Sequence, residues 1–389
     1  MLAFTATSLV TPTATFEHAL LLVEDGQIAS ISTQAAHPLP PGLLPTAFGD
    51  AIIAPAYVDL HIHGGGGFDV MDDSADAVPA IGRLLARHGV ASYFPTTVTA
   101  PMDKTLRALE RLADAVESCR DERQDSTSMA SPLGIHLEGP FISHVRRGVH
   151  PLEHLLPPTI ETFDRFWQAA RGHIRMMTIA PELDGAPGVI AEASRRGVCV
   201  SLGHSDADFG ATVRGVAAGA RHATHTFNAM RPLDHRAPGI LGAVLTDCRM
   251  SADIIADGIH LDPAIVKLFA RAKGPEQTVL ITDATAATGM PDGRYHLGSL
   301  DVEVKDGKCT ANGKLAGSVL TMDRAVRNLA HFAGWSLPQA VAAASRNPAQ
   351  AARLVNKGAL APGADADFVV LSPAGEVLRT FIRGRECPA

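Results

Sequence analysis

Along the chain, short apolar and β-branched runs recur at intervals that leave room for a helix between them. Eight such runs, at 57–63, 91–98, 134–138, 174–180, 198–204, 222–227, 250–256 and 278–283, predict short buried strands. Between many of them the pattern changes to helical spacing, most clearly over 102–117 and 187–196. The first of these helices follows Thr99, a candidate cap, and has Pro101 near its start, where a missing N–H costs nothing. Strand and helix alternating in this way over roughly 230 residues predict a (β/α)8 TIM-like barrel. A doubly wound open sheet alternates likewise, so the placement of polar residues has to decide between them. The two ends of the chain read differently. Residues 19–31 form two apolar runs around Asp25-Gly26, a hairpin signal, and 366–382 repeat the pattern around Pro373 to Gly375. The expectation is a small β-sandwich domain built from both termini (1–54 and 356–389) beside a barrel over 55–355.

Composition narrows the function classes. Of 389 residues, 46% are hydrophobic and 19% charged, enough apolar material for a large core. The net charge of −7 argues against nonspecific nucleic-acid binding, and an anionic substrate would need local cations and backbone amides. Five scattered cysteines with no Cys-x-x-Cys read as reduced thiols. The N-terminus lacks a basic segment followed by a long apolar run, and no apolar stretch is long enough to span a bilayer. A soluble cytoplasmic protein is expected. The seventeen histidines are the one anomaly, and their spacing carries the chemistry.

Six of the eight predicted strands end in residues that can bind a metal or move protons. These are His61 and His63; His136 and Glu138; His204; His225; Asp257 and His260; and Asp283. Barrel enzymes assemble their sites at the C-terminal strand ends, and this register favours the barrel. His61 and His63 are two apart, so on a strand both face one ion. Glu138 closes an apolar run, where an ionised carboxylate needs a cation or partners. Singly, His204 or His225 reads as a hydrogen-bonded core histidine. Together, two histidines and a glutamate make a transition-metal set with room for water, as in catalytic zinc sites. Asp283 at the last strand end can take a proton from metal-bound water, whose pKa zinc lowers to about 7. Its other readings are a further ligand or a helix N-cap.

The segments His61-Ile62-His63 with Gly64 to Gly67, His136 to Phe141, Gly203 to Ser205, Thr224 to Met230, Asp257 to His260, Thr282 to Ala284 and Leu315 to Ser318 carry a resemblance. They resemble the amidohydrolase superfamily and, within it, the N-acetylglucosamine-6-phosphate deacetylase family, from about residue 50 to the Gly358–Phe368 segment. The resemblance implies a metal held by Glu138, His204 and His225, with Asp283 catalytic. For an amino-sugar phosphate substrate it implies Val149, His150, Asn228, Ala229, Arg236, Asp257, His260, Leu315, Ala316 and Gly317. It also implies a homodimer in which Arg236 reaches the neighbouring site. Some members carry Gln-x-Asn in place of His61 and His63 and hold one metal; retention of both histidines suggests a second ion bridged by Glu138. Residues 174–182 offer no strand-four lysine, which argues against the carboxylated-lysine branch. Zinc is the expected ion, with Fe2+, Mn2+ and Co2+ also suited to imidazole and carboxylate ligands. The expected reaction is deacetylation of N-acetylglucosamine 6-phosphate. Alternatives are a related N-acyl amino sugar, phosphorylated or not, and a non-catalytic scaffold.

Overall fold

The computed structural model describes residues 1–11, 14–36, 39, 42–121 and 129–388. Eight short parallel strands follow one another around a barrel: Tyr57–Ile62, Val90–Thr97, Ile135–Glu138, Ile174–Ile179, Cys199–Leu202, His222–Ala223, Ala252–Ile254 and Thr278–Leu280. The first six pair side by side in chain order, as do the last two. Ala223 N–H to Ser251 O (3.1 Å) and Thr226 N–H to Asp253 O (2.9 Å) join the sixth strand to the seventh. Asp283 N–H to His61 O (2.9 Å) and His63 N–H to Ala284 O (2.8 Å) bring the eighth back to the first. Every side chain of Tyr57–Ile62, Val90–Thr97 and Ile135–Glu138 is buried, as strands covered on both faces require.

Helices fill the connections, among them Met102–Asp121, Ala186–Arg195, Phe209–Ala218 and Pro263–Gln277. Asp208 and Asp262 cap the last two by accepting from Ala211 N (2.6 Å) and Ala264 N (2.8 Å). Thr99 does not serve the helix at Met102–Asp121 as expected; its hydroxyl lies 2.8 Å from His150 Nδ1 instead. Among the described residues, no helix is long and apolar enough to cross a membrane.

Strands from both termini share one eight-stranded sheet in which Phe368–Leu371 pairs with Ile52–Pro55, and Ile52–Pro55 with Leu2–Val10. Phe4, Phe368 and Phe381 pack together at its centre, with ring centroids 4.5–5.3 Å apart. Such aromatic pairs add about 0.5–1.5 kcal/mol each beyond their buried area. The Asp25-Gly26 turn closes the expected hairpin, with Glu24 opposite Gln27.

One element escaped the sequence reading. After the eighth strand the chain forms a four-stranded antiparallel sheet, Gly293–Leu297, Leu300–Lys305, Lys308–Ala311 and Lys314–Leu315. Its last strand delivers Ala316 to Ser318 back to the barrel mouth, where Ser318 N–H donates to Asp283 O (2.7 Å). Gly317 is required at this junction. It has φ +58°, and a Cβ there would lie 2.9 Å from Asp283 O and 2.6 Å from the Thr285 methyl.

Candidate metal centre and substrate cavity

His61, His63, Glu138, His204, His225 and Asp283 come from five different strand ends and meet at the C-terminal mouth of the barrel. Glu138 stands at the middle. Its Oε2 lies 3.4 Å from His61 Nε2 and 3.3 Å from His63 Nε2. Its Oε1 lies 3.3 Å from His204 Nε2 and 3.1 Å from His225 Nε2. Within the two pairs the Nε2 atoms are 3.1 Å apart (His61, His63) and 3.0 Å apart (His204, His225). Asp283 Oδ1 approaches the first pair, 3.2 Å from His63 and 3.6 Å from His61.

The backbone is bent to bring these groups inward. His204, His225 and Asp283 all have positive φ (46°, 28° and 50°), a conformation rare outside glycine and concentrated at functional sites. Gly64, just after His63, lets the first loop press against the eighth; a Cβ there would sit 2.3 Å from Phe68 O and 2.7 Å from Ala286 N.

Two of the rings have their tautomer set by the main chain. His63 Nδ1 donates to Thr96 O (2.9 Å) and His204 Nδ1 to Arg146 O (3.0 Å), so each turns an Nε2 lone pair to the centre. Imidazole lone pairs 3.0–3.1 Å apart repel unless a positive charge lies between them. His61, His63 and Glu138 form one group whose ligand atoms lie within 4.8 Å of one another, and Glu138, His204 and His225 form another. The donor set therefore fits two divalent ions sharing one carboxylate. The protein's own electrostatics show the same demand. Burial pushes the Glu138 carboxyl up, but His61, His204 and His225 outweigh it and hold the group well below the ordinary carboxylate range. Burial also raises Asp283, and His61 and His63 bring it down to about 2. Against the opposing effect of burial, Glu138 lifts His225 to about 9.

A cavity of about 210 Å³ opens over this cluster. Val149, His150, Asn228, Ala229, His260, Leu315, Ala316 and Gly317, all named from the sequence, line it, together with Val98 and Leu297, which were not. His150 is held neutral there, burial first and the neighbouring His204 second pushing it down to about 3. Thr99 N–H donates to its Nδ1 (3.3 Å), which leaves the proton on Nε2, 3.7 Å from Glu138 Oε2. His260 donates Nδ1–H to Asp257 Oδ2 (2.7 Å) and keeps Nε2 for the cavity its ring lines.

Three sequence expectations need amendment, those for Asp257, Asn228 and His136. Asp257 does not line the cavity; its carboxylate is engaged by His260 and by the backbone N–H of Ile259 and His260. Asn228 N–H is already given to His225 O (2.9 Å), so of that pair of amides only Ala229's has no acceptor among the described residues. Arg236, expected to reach a neighbouring site, is exposed and outside this chain's own cavity. His136, two residues before Glu138, does not reach the cluster; it lies a layer lower with its ring centroid 4.6 Å from that of His61, and bonds Leu60 O (3.1 Å) and Thr178 Oγ1 (2.8 Å). Sequence reasoning also passed over Asp59 and Asp253, two fully buried carboxylates beneath the ligands; an acid inside an apolar run was the available signal.

A model of the amidohydrolase family matches residues 52–387. An N-acetylglucosamine-6-phosphate deacetylase of Lysinibacillus sphaericus is 38% identical over 365 residues, 93% of this chain and 92% of that protein. An N-acetylgalactosamine-6-phosphate deacetylase of Escherichia coli O157:H7 is 39% identical, over 94% of this chain and 93% of that protein. Among solved structures, a mutant N-acetyl-D-glucosamine-6-phosphate deacetylase of Mycobacterium smegmatis in complex with N-acetyl-D-glucosamine-6-phosphate superposes with a TM-score of 0.91. That match is 35% identical and covers 99% of this chain and 98% of the other.

Proposed function

The chain belongs to the amidohydrolase family, and from that premise we propose that it hydrolyses N-acetyl-D-glucosamine 6-phosphate to D-glucosamine 6-phosphate and acetate. One observation carries the reading: a single buried carboxylate, Glu138, stands between two histidine pairs at the barrel mouth, with Asp283 facing the open cavity. Glu138, His204 and His225 would hold one divalent ion, and His61, His63 and Glu138 a second; zinc suits this set of ligands. When bound, the metal supplies Lewis-acid polarisation of the acetamide carbonyl and acidifies water near neutrality.

The rest of the work belongs to side chains. Asp283, ionised in the resting site, takes the proton of the attacking water as the C–O bond forms at the acetyl carbon. It then gives that proton to the amide nitrogen as the C–N bond breaks, so that an amine leaves rather than an amide anion. His150 Nε2–H, a neutral donor aimed into the cavity, stabilises the carbonyl oxygen or orients a sugar hydroxyl. His260 Nε2 accepts from a sugar hydroxyl, and its ring is held for this by Asp257. Val149 and the segment Leu315-Ala316-Gly317 shape the wall against the sugar ring. The Ala229 amide and Asn228 face the phosphate end. Arg236, exposed and unable to serve its own cavity, fits a charge-assisted phosphate contact into a neighbouring copy, so the active form is a homodimer. The shared terminal sheet is read as a β-sandwich domain (1–54 with 356–389) carried on the barrel (55–355).

The Escherichia coli relative's name supports a second reading in which the sugar is the galactosamine epimer. Acetate release measured with both epimeric 6-phosphates and with free N-acetylglucosamine decides the matter. The glucosamine 6-phosphate precursor is expected to give the highest kcat/KM; preference for the other epimer, or indifference to phosphate, would overturn the substrate assignment.

Nuclearity gives a separate check. Metal-saturated protein should bind about two ions per chain, and His61→Ala with His63→Ala about one. Atomic absorption on dialysed protein reads this, and a wild-type value of one that the double substitution leaves unchanged would remove the second ion.

A further inference from the structure

The four ligand histidines are not held alike. His63 and His204 are oriented through ring hydrogen bonds to Thr96 O and Arg146 O. His61 and His225 have buried Nδ1 atoms with no hydrogen-bond partner among the described residues. A ligating imidazole is ordinarily oriented by a bond at its second nitrogen, so these two need a different constraint. They have it in the main chain. His61 N–H donates to Asp59 Oδ1 (3.3 Å), and His225 N–H donates to Asp253 Oδ1 in a very short contact.

Both carboxylates are fully buried, and neither lines the cavity. Such groups are costly inside a protein unless each oxygen is used. Asp59 Oδ2 accepts from Thr282 Oγ1 (2.5 Å), which ties the eighth strand to the first. Asp253 Oδ2 lies 2.8 Å from His222 Nε2, and His222 Nδ1 lies 2.6 Å from Ser251 Oγ. Asp253 also accepts Thr226 N–H at its main-chain oxygen (2.9 Å). One residue thus grips His225, at φ +28°, from both sides. The sixth strand has only two paired residues, His222–Ala223, so the sheet itself does little to fix the residues that follow.

We propose that Asp253 is a positioning residue of the metal centre and Asp59 its counterpart on the first strand. Each fixes, through the backbone N–H, the ligand whose ring has no hydrogen bond of its own. This rests on reading the cluster as a metal centre, and the test separates the two.

Co2+ is titrated into metal-stripped, full-length protein, with affinity read by chelator competition and geometry by the visible d–d absorption. Wild-type protein that takes up no Co2+ overturns the metal reading itself, and the proposal with it. If the wild type binds, Asp253→Leu, branched alike at Cγ but bulkier and without an acceptor, is expected to bind about 10–100-fold more weakly, the range for outer partners of ligands. Its spectrum should change, and at saturating metal kcat should fall while KM stays near wild type. Asp253→Asn keeps Oδ1 as acceptor, with His222 moving its proton to Nδ1, and should stay within about threefold of wild type because the hydrogen bond survives. If the leucine protein does not fold, Asp253→Glu replaces it, since it keeps the charge but shifts the acceptor by a methylene, and the same loss is expected. Asp59→Leu and Asp59→Asn should repeat the contrast. Wild-type affinity and spectrum in the leucine or glutamate protein would overturn the proposal, as would an asparagine protein as impaired as either.

Discussion

Glu138→Gln should leave a folded protein that neither retains metal nor turns over. The two carboxylate oxygens are divided between the two histidine pairs, at 3.3–3.4 Å and 3.1–3.3 Å. Glutamine has nearly the same shape but offers one oxygen and one NH2. Whichever way the amide turns, one histidine pair keeps an acceptor and the other meets a donor. The negative charge that would offset the proposed cations is lost at the same time. Loss of an outer partner of a metal ligand typically costs about 10–100-fold, so removal of the shared ligand should lower kcat/KM by more than about 100-fold. Metal content after dialysis should fall well below wild type. The assay is acetate release beside atomic absorption on the same sample. Near-normal metal together with near-normal turnover would take Glu138 out of the centre. The substitution should not unfold the barrel, because Glu138 ends its strand and the apolar residues beneath it, such as Ile135 and Leu137, are untouched.

Much of this centre was legible in the sequence, for a physical reason. Buried parallel strands are continuous apolar runs, so a histidine or acid at the end of one stands out against its neighbours. His61, His63, Glu138, His204, His225 and Asp283 were visible in that way. Depth was not. His136 and Glu138 share a strand face because side chains repeat every two residues, but only Glu138 is high enough to meet the ligands, while His136 sits a layer lower against Leu60 and Thr178. Asp59 and Asp253 were hidden differently, inside runs read as simply apolar, and their partners Thr282 and His222 lie far off in sequence or on another strand. The inserted sheet did leave a signal. Asp306-Gly307 and Asn312-Gly313 are hairpin dipeptides with positive φ at both residues, and each separates two of its strands. Short strands alternating exposed and buried residues gave too little apolar pattern to draw attention to those turns. The cavity wall at Leu297 was missed along with them.

Asp283→Asn isolates proton transfer from ligand binding, because everything but the charge is preserved at that position. The backbone there is fixed independently of the side chain: Asp283 N–H donates to His61 O (2.9 Å) and Asp283 O accepts from Ser318 N–H (2.7 Å). Its φ of 50° is one that asparagine adopts more readily than most residues, so the loop should not relax. The asparagine oxygen can still face His63, where Asp283 Oδ1 now lies at 3.2 Å. What is lost, on the proposed mechanism, is a group that accepts a proton from water and returns it to the leaving nitrogen. General acid–base catalysis contributes about 10²–10⁴-fold, so kcat should drop by at least about two orders of magnitude. KM should change little, since an interaction made in the transition state lowers kcat and kcat/KM together. Metal content should remain near wild type, in contrast to Glu138→Gln, and that contrast assigns the two carboxylates different tasks. Steady-state kinetics with metal analysis on both proteins would show it. Full metal occupancy with wild-type kcat in Asp283→Asn would shift the proton to another group, and His150, with Nε2–H already directed at the cavity, would be the first to replace.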